Sequence, residues 1–212
     1  SSQTRPDAAF ETCRASNSGK DATVDTLIAA NKTIKQLKSE ELKLCYPALG
    51  SVKDLKVVAY DDATHASLPS GESQGANMIF LAGNNRVAPI AWKSKKLERV
   101  TKSPLASEVS AIADAADTGH LIASMTQEIY ILENIPKVML YTDSKSLKQN
   151  LKSTKVIQDP RLRVDMARLK QMVDLAEIEV KWVPSQLQLA DSLTKKGASA
   201  DQLKEVLGGA KI

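Results

Sequence analysis

The sequence predicts a mixed α/β fold in which helices cover a single sheet. Three apolar segments joined by tight turns lie between residues 55 and 92, and a long amphipathic stripe follows them. Two further apolar segments occur downstream, among segments with helical periodicity. Hairpin-linked strands that give way to alternating helices and strands are typical of a sheet with antiparallel and parallel neighbours. In such sheets, binding and catalytic residues are expected where strands end.

The first fifty residues are expected to form a helical segment distinct from a domain at residues 51–212. Arg5-Pro6-Asp7 is a helix start signal, and Asp21 or Thr23 can cap a second helix. The apolar residues of the second helix share one face, and they are Val24, Leu27, Ile28, Ile34 and Leu37. Residues 42–47 read as a short strand.

Strands and helices alternate along the rest of the chain. Strands are expected at residues 55–60, 76–82, 87–92, 138–141 and 178–183. Helices are expected at residues 104–125, 145–151, 162–176 and 201–207, with another that starts at Pro184-Ser185 and contains Asp191. Gly83-Asn84-Asn85 is a hairpin signal, and residues 70–73 read as another turn.

Length and composition favour an ordinary globular protein. The 212 residues are 42% apolar, which is enough for one sizeable core with an appendage. No apolar run approaches the ~20 residues that span a bilayer, so no membrane partner is expected. Cys13 and Cys45 fit no metal-ligand spacing and are expected to be reduced. The net charge of +4 permits a polyanionic partner without requiring one.

Four carboxylates occur in short motifs at the ends of apolar segments or within amphipathic helices. They are Asp62, Glu108, Asp143 and Asp191. Taken singly, Glu108 suits a solvated helix surface and Asp143 suits a helix N-cap, whereas Asp191 would interrupt a buried leucine-rich face. Brought together, they would form a pocket that is costly unless a hard cation such as Mg²⁺ or Mn²⁺ fills it. Such pockets are how two-metal cleavage of phosphodiesters is built.

Several motifs form a pattern along the chain. The most specific is Trp182-Val183-Pro184-Ser185 followed by Gln188-Leu189-Ala190-Asp191-Ser192-Leu193-Thr194-Lys195-Lys196-Gly197, and the others are residues 60–66, 89–95, 105–108 and 141–147. In this order they resemble the ribonuclease H domain of copia-type (pseudovirus) LTR retrotransposons. Residues 4–10 are similar to the end of that group's reverse transcriptase, where Arg-Pro-Asp opens a helical segment leading into ribonuclease H.

The resemblance implies a ribonuclease H-like five-stranded mixed sheet flanked by helices, preceded by a small helical segment. It also implies hydrolysis of the RNA strand of an RNA:DNA hybrid during reverse transcription. The family's catalytic and metal-binding acids carry over as Asp62, Glu108, Asp143 and Asp191. Asp61 competes with Asp62 for the first position, and the family pattern favours Asp62. Strand alternation also puts only one of the two on the site face.

Two Mg²⁺ ions are the expected cofactors, and Mn²⁺ is expected to substitute for them. In this hypothesis Asp62 bridges both ions, while Glu108 and Asp143 hold the ion that activates water. Asp191 would hold the second ion, which stabilises the leaving oxygen.

The expected partners are an RNA:DNA hybrid and the polymerase domain of reverse transcriptase. Selecting a hybrid requires contacts to RNA 2′-hydroxyls and to DNA phosphates. The candidate nucleic-acid-binding residues are Ser67, Gln74, Ser144, Lys145, Arg161 and Arg163. The basic run Lys93, Lys95, Lys96 and Arg99 suits either a hybrid contact or a solvated loop. The expected location is intracellular: the cytoplasm, in a virus-like particle, with the nucleus as a second site.

Two other functions compete with this interpretation. The first is a non-catalytic module, derived from a transposon, that binds hybrids or scaffolds a polymerase; the presence of all four acids disfavours it. The second is another nuclease of the same fold, such as an integrase or a resolvase. A glutamate on the first long helix fits ribonuclease H better, because integrases place theirs late in the chain.

Overall fold

Among the residues that the structure describes, five strands form one sheet with helices on both faces. The computed structural model describes residues 4–19, 22–68, 71–154 and 157–210. The strands are β1 (Lys56–Thr64), β2 (Gln74–Gly83), β3 (Arg86–Lys96), β4 (Val138–Thr142) and β5 (Ile178–Trp182). The helices are α1 (Ala9–Asn17), α2 (Val24–Ser39), α3 (Pro104–Tyr130), α4 (Lys145–Lys152), α5 (Pro160–Asp174) and α6 (Asp201–Leu207). Short 3₁₀ turns occur at Pro6–Ala8, Val52–Asp54, Ser185–Leu187 and Asp191–Leu193.

The strands lie in the spatial order β3-β2-β1-β4-β5. β1, β2 and β3 form antiparallel pairs, whereas β4 runs parallel to both β1 and β5. The tight turn between β2 and β3 places Asn84 and Asn85 at φ values of 49° and 56°. Asparagine tolerates this left-handed conformation better than most residues, which explains the hairpin signal. The predicted fold class, a five-stranded mixed sheet flanked by helices, is confirmed.

The long helix α3 covers one face of the sheet. Alternate residues of β1 face it, so Val57 and Ala59 share a buried cluster with Ile112 of the helix. The Ser103 side chain caps α3 by accepting a hydrogen bond from the Ala106 N–H, and proline follows it in the first turn. This start signal fixes where α3 begins relative to the strand ends. Helices α4 and α5 complete this layer beside it.

The opposite face of the sheet is covered by α6 and by part of the N-terminal segment. Val58 and Tyr60 of β1 pack in one cluster with Ala9 of α1 and Leu207 of α6. The N–H of Cys45 donates to the carbonyl of Leu207 at 2.8 Å, which ties the chain before β1 to the end of α6. Residues on both sides of position 50 therefore share one core. The domain boundary placed there from the sequence stays a prediction.

Arg5 joins the two helical parts of the N-terminal segment. Its guanidinium donates to the carbonyl of Leu37, in the last turn of α2, at 3.0 Å and to that of Glu40, just beyond the helix, at 3.1 Å. The 3₁₀ turn at Pro6–Ala8 contacts the turn at Asp191–Leu193. The Arg-Pro-Asp motif therefore lies directly against the segment that carries the fourth predicted acid.

Helix α2 lies on the outside of the molecule. Thr23 caps it through reciprocal hydrogen bonds with Thr26, whereas Asp21, the other predicted cap, is outside the described residues. Four apolar side chains of the predicted face are 49–72% exposed, and they are Val24, Leu27, Ile28 and Ile34. The two helices of the N-terminal segment thus differ, because α1 contributes to the core and α2 does not.

Replacing Phe10 of α1 by alanine is expected to lower the free energy of unfolding by about 3–5 kcal/mol. Phe10 is only 7% exposed, so removing its ring leaves a cavity beneath α1. The matched control is Leu27→Ala on α2, which is 61% exposed and should change stability by less than about 0.5 kcal/mol. Urea unfolding of both variants measures the difference. Equally small effects would contradict the packing of α1 in the core.

Two elements predicted from the sequence are wrong. Residues 42–47 form no strand, because Leu42 and Leu44 pack against the core cluster and the Cys45 N–H bonds to α6 instead of a neighbouring strand. The chain after Pro184 forms two separate 3₁₀ turns instead of one helix. The turn predicted at residues 70–73 lies partly outside the described residues. Both cysteines are free, as predicted.

Candidate active site

The parallel strands β1 and β4 bring two carboxylates to the same edge of the sheet. Asp62 lies near the end of β1, and Asp143 directly follows β4. Tyr60 of β1 pairs with Tyr141 of β4. Asp62 and Asp143 each lie two positions further along their strands' direction. Because parallel strands bring their carboxyl ends to the same side, residues far apart in sequence become neighbours here.

Glu108 of α3 joins these two aspartates. One oxygen from each of Asp62, Glu108 and Asp143 can be chosen such that all three lie within 4.8 Å of one another. The Oε2 atom of Glu108 is buried and has no hydrogen-bond partner in the described part of the chain. The structure therefore brings together three of the four acids singled out from the sequence.

Asp62, and not Asp61, is the β1 carboxylate in this group of three. Asp61 is completely buried, and neither of its carboxylate oxygens has a hydrogen-bond partner among the described residues. Burial raises the pKa of Asp61 well above its ordinary value, and the nearby charges of Glu108, Asp62 and Asp143 raise it further. This carboxyl therefore favours its neutral form, which suits a buried position.

Two acids of the group, Glu108 and Asp62, have raised pKa values in the absence of a cation. Burial raises the pKa of Glu108 to about 8, and the charges of Asp62 and Asp143 add to this effect. Burial likewise raises the pKa of Asp62, against the opposing influence of Lys195 and its hydrogen bond from Thr194. Like charges crowded in a poorly solvated place disfavour one another's ionised forms, which is the electrostatic signature of a cation site.

Asp191 lies beside the three acids and not within their group. It begins a 3₁₀ turn at the end of which Thr194 donates a hydrogen bond to Oδ2 of Asp62. Lys195 bonds to Oδ1 of Asp191, and its Nζ atom is 3.6 Å from Oδ2 of Asp62. A lysine therefore connects the fourth predicted acid to the first.

Sequence reasoning missed the polar residues that hold this segment against the strand ends. The side-chain amide of Gln188 donates to the carbonyls of Asp61 and Tyr141 at 2.9 and 3.2 Å, which bridges β1 and β4. Ser185 donates to Oδ2 of Asp143 at 2.7 Å. Ser185 and Gln188 both lie within residues 182–197, the most specific motif, and this position was the signal that could have identified them. Only Asp191 of that motif was assigned a role.

A second polar network ties the start of α3 to the end of β1. Nδ1 of His65 lies 3.2 Å from the Thr101 hydroxyl and 3.1 Å from the Ser107 hydroxyl. The Ser73 hydroxyl lies 2.7 Å from that of Thr101. Because Ser107 directly precedes Glu108, this network fixes the helical turn that carries the glutamate.

The predicted nucleic-acid contacts on the β1 side differ in accessibility. Ser67 is exposed, whereas Gln74 is completely buried. The Gln74 amide donates to the Ser94 hydroxyl at 2.8 Å. The prediction for Gln74 is corrected. Its side chain is buried and bonds β2 to Ser94 of β3, so it does not meet a ligand.

The predicted contacts that follow Asp143 lie at the start of α4. The Ser144 hydroxyl accepts a hydrogen bond from the Leu147 N–H and caps the helix. Lys145 is exposed, and its ammonium lies 4.9 Å from the ring centroid of Trp182. The indole N–H of Trp182 in turn donates to the carbonyl of Asp143 at 3.0 Å. Both residues are thus adjacent to the group of acids.

Arg161 and Arg163 are exposed in the first turn of α5. The Arg163 guanidinium donates to the carbonyls of Ile157 and Gln158. The basic run before α3 is paired with carboxylates of the same chain: Lys93 and Lys95 with Asp114, Lys96 with Glu72, and Arg99 with Asp165. The pairing disfavours a hybrid contact for the run, but the loop interpretation is wrong for its three lysines, because they lie in β3.

Comparison with known proteins adds one sequence relative and several structures. No family model matches the chain. The chain is 26% identical over 199 residues to the retrovirus-related Pol polyprotein from transposon RE1 of Arabidopsis thaliana, covering 91% of this chain and 13% of that protein. LC11-RNase H1, solved in complex with an RNA/DNA hybrid, superposes with a TM-score of 0.50 at 13% identity and covers 70% of this chain and 99% of its own. The chain has the ribonuclease H fold.

A viral structure is also similar to this chain. The foamy viral protease-reverse transcriptase in complex with an RNA/DNA hybrid gives a TM-score of 0.49 at 13% identity, over 73% of this chain and 21% of its own. The resemblance to a ribonuclease H domain of a retrotransposon Pol polyprotein, seen first in the motifs, is confirmed by the Arabidopsis relative and the fold. Within residues 4–19, 22–68, 71–154 and 157–210, no helix has both the length and the apolar character to cross a membrane.

Proposed function

We propose that this domain is a ribonuclease H that hydrolyses the RNA strand of RNA:DNA hybrids during reverse transcription of an LTR retrotransposon. The observation that carries the proposal is the convergence of Asp62, Glu108 and Asp143, whose oxygens lie within 4.8 Å of one another at the strand ends. The fold and the Pol relative support it, because this fold places its functional residues at that edge. The chain spans 13% of the relative's length, so the activity of the whole polyprotein does not pass to it by similarity alone.

The residues at this edge fit divalent metal ions. The donor set is made of carboxylate oxygens, which Mg²⁺ and Mn²⁺ prefer. The buried Oε2 atom of Glu108 has no hydrogen-bond partner among the described residues, so it is free to coordinate an ion. Asp62, Glu108 and Asp143 would hold one ion, and Asp62 with Asp191 would hold another. When bound, such ions supply an activated water and neutralise charge on the leaving oxygen.

The chain's own groups prepare the site for that chemistry. Gln188 fixes the ends of β1 and β4 relative to each other, which holds Asp62 and Asp143 at a constant separation. The hydroxyl of Ser185 orients the Asp143 carboxylate. His65 and its hydroxyl partners fix the turn of α3 that carries Glu108. Preorganisation of this kind is what lets ligands act without rearranging in the transition state.

The hybrid is proposed to bind across the exposed residues near the acids. Ser144 and Lys145 directly follow Asp143, Ser67 follows β1, and Arg161 and Arg163 lie in the first turn of α5; of these, Ser144 is half-exposed and the others are exposed. LC11-RNase H1 was itself solved with an RNA/DNA hybrid, which supports this choice of ligand. The polymerase domain of reverse transcriptase is the proposed protein partner. The proposed location is the cytoplasm, within a virus-like particle, and the nucleus.

The function is tested by incubating the protein with a labelled RNA:DNA hybrid in Mg²⁺ or Mn²⁺. Double-stranded RNA, single-stranded RNA and double-stranded DNA serve as parallel substrates. The expected result is cleavage of the RNA strand of the hybrid alone, lost on adding EDTA. No cleavage with either ion by folded protein would contradict the proposal and favour a non-catalytic module that binds hybrids or scaffolds a polymerase.

A further inference from the structure

Lys195 has an unusual position for a lysine near a cluster of acids. Its ammonium contacts Oδ1 of Asp191 and lies 3.6 Å from Oδ2 of Asp62, so it sits between the two carboxylates. The side chain is 39% exposed, while that of Asp62 is only 2% exposed. The buried carboxylate thus receives its positive neighbour from a residue that can still reach solvent.

Lys195 is the positively charged partner of both Asp62 and Asp191. In the described structure, the carboxylates of Asp62 and Asp191 form recorded ion pairs only with this lysine. The Lys195 ammonium therefore lies between the two carboxylates that would hold one of the proposed metal ions.

We propose that Lys195 is a built-in counter-cation that occupies the Asp62–Asp191 position in the metal-free protein and is displaced when a metal ion binds there. This inference rests on the proposed function. The flexible four-carbon stem of lysine and its exposed path allow the ammonium to leave without rearranging the turn at Asp191–Leu193. The lysine thus stabilises the empty site and weakens metal binding to it.

The first test measures metal affinity without nucleic acid. Mn²⁺ binding to the Lys195→Met protein, followed by isothermal titration calorimetry, is expected to be at least about tenfold tighter than binding to the original protein, because a competing positive charge at contact distance is gone. Lys196→Met is the matched control, since Lys196 is the exposed neighbour with the same charge. It should leave the affinity within about twofold, because screening weakens an exposed charge.

The second test measures thermal stability with and without metal. In EDTA, Lys195→Met is expected to melt about 3 °C or more below the original protein, because Asp62 loses its positive partner. In saturating Mn²⁺ the difference should vanish or reverse, because the ion takes the lysine's place. Lys195→Arg should behave like the original protein in EDTA, since it keeps the charge.

The outcomes separate this proposal from its competitors. An equal loss of melting temperature in EDTA and in Mn²⁺ would show a purely structural lysine and overturn the inference. Unchanged Mn²⁺ affinity with a raised Kd for an RNA:DNA hybrid in EDTA would assign Lys195 to the substrate and overturn it too. Absence of Mn²⁺ binding to either protein would also count against it. None of these outcomes depends on whether the original protein cleaves hybrids, so failure of the proposed activity remains distinguishable.

Discussion

The Asp143→Asn protein is expected to lose cleavage of RNA:DNA hybrids by at least about 10²–10³-fold, the range seen when one preorganised transition-state stabiliser is removed. Asparagine keeps the shape of the side chain and can still accept the hydrogen bond from Ser185. It removes the negative charge that a metal ion requires from this position. Asp191→Asn is expected to have the same effect. Rates with a labelled hybrid in Mg²⁺ measure both variants.

The stability of the Asp143→Asn protein should not fall with its activity. The charge of Asp143 is one of those that raise the pKa of Glu108, so removing it relieves repulsion in the metal-free site. The melting temperature in EDTA should therefore stay the same or rise. Asp54→Asn is the matched control, because Asp54 is exposed in the 3₁₀ turn before β1. Full activity in Asp143→Asn, or equal loss in the control, would remove Asp143 from the site.

The metal-free protein is expected to lose stability as the pH rises from about 4.5 to about 8, the interval between the ordinary pKa of a glutamate and that of Glu108 here. The folded state keeps the Glu108 proton to higher pH than the unfolded chain does. Stability from this group is therefore complete below pH 4.5 and is lost as the pH passes through 8. The loss amounts to at most about 5 kcal/mol.

The Glu108→Gln protein should show a flatter dependence of unfolding free energy on pH over the same interval. A residual slope is expected, because burial also raises the pKa values of Asp61 and Asp62. Saturating Mg²⁺ should flatten the slope of the original protein as well, since a bound cation favours the ionised carboxylates. Glu133→Gln, at an exposed position, is the control. Urea unfolding in EDTA at several pH values measures the effect, and identical slopes in all three proteins would contradict it.

The parts of the fold that follow from local patterns were predictable. Apolar residues on both sides of the Asn84-Asn85 turn predict β2 and β3. A Ser-Pro start followed by an apolar stripe predicts α3. These signals act over a few residues, so the sequence contains them in full. The acids at the ends of such elements could be named for the same reason.

The segment after Pro184 was mispredicted because its structure depends on distant groups. Leu189 and Leu193 have helical spacing, and both are buried. However, the side chain of Gln188 bonds to strand carbonyls, and the backbone breaks into two 3₁₀ turns around it. A periodic pattern cannot reveal partners that lie more than a hundred positions away. The lysine between Asp62 and Asp191 was missed for the same reason.

The hydrogen bond from the Thr64 hydroxyl to the carbonyl of Thr194 at 2.8 Å joins residues 130 positions apart. Closing so long a loop is entropically slow, and on a ribosome the second partner emerges long after the first. The strands around Asp62 would therefore pair before Asp191 and Lys195 have been synthesised. The arrangement of Asp62, Asp191 and Lys195 therefore stays incomplete until nearly all of the chain described here has been made.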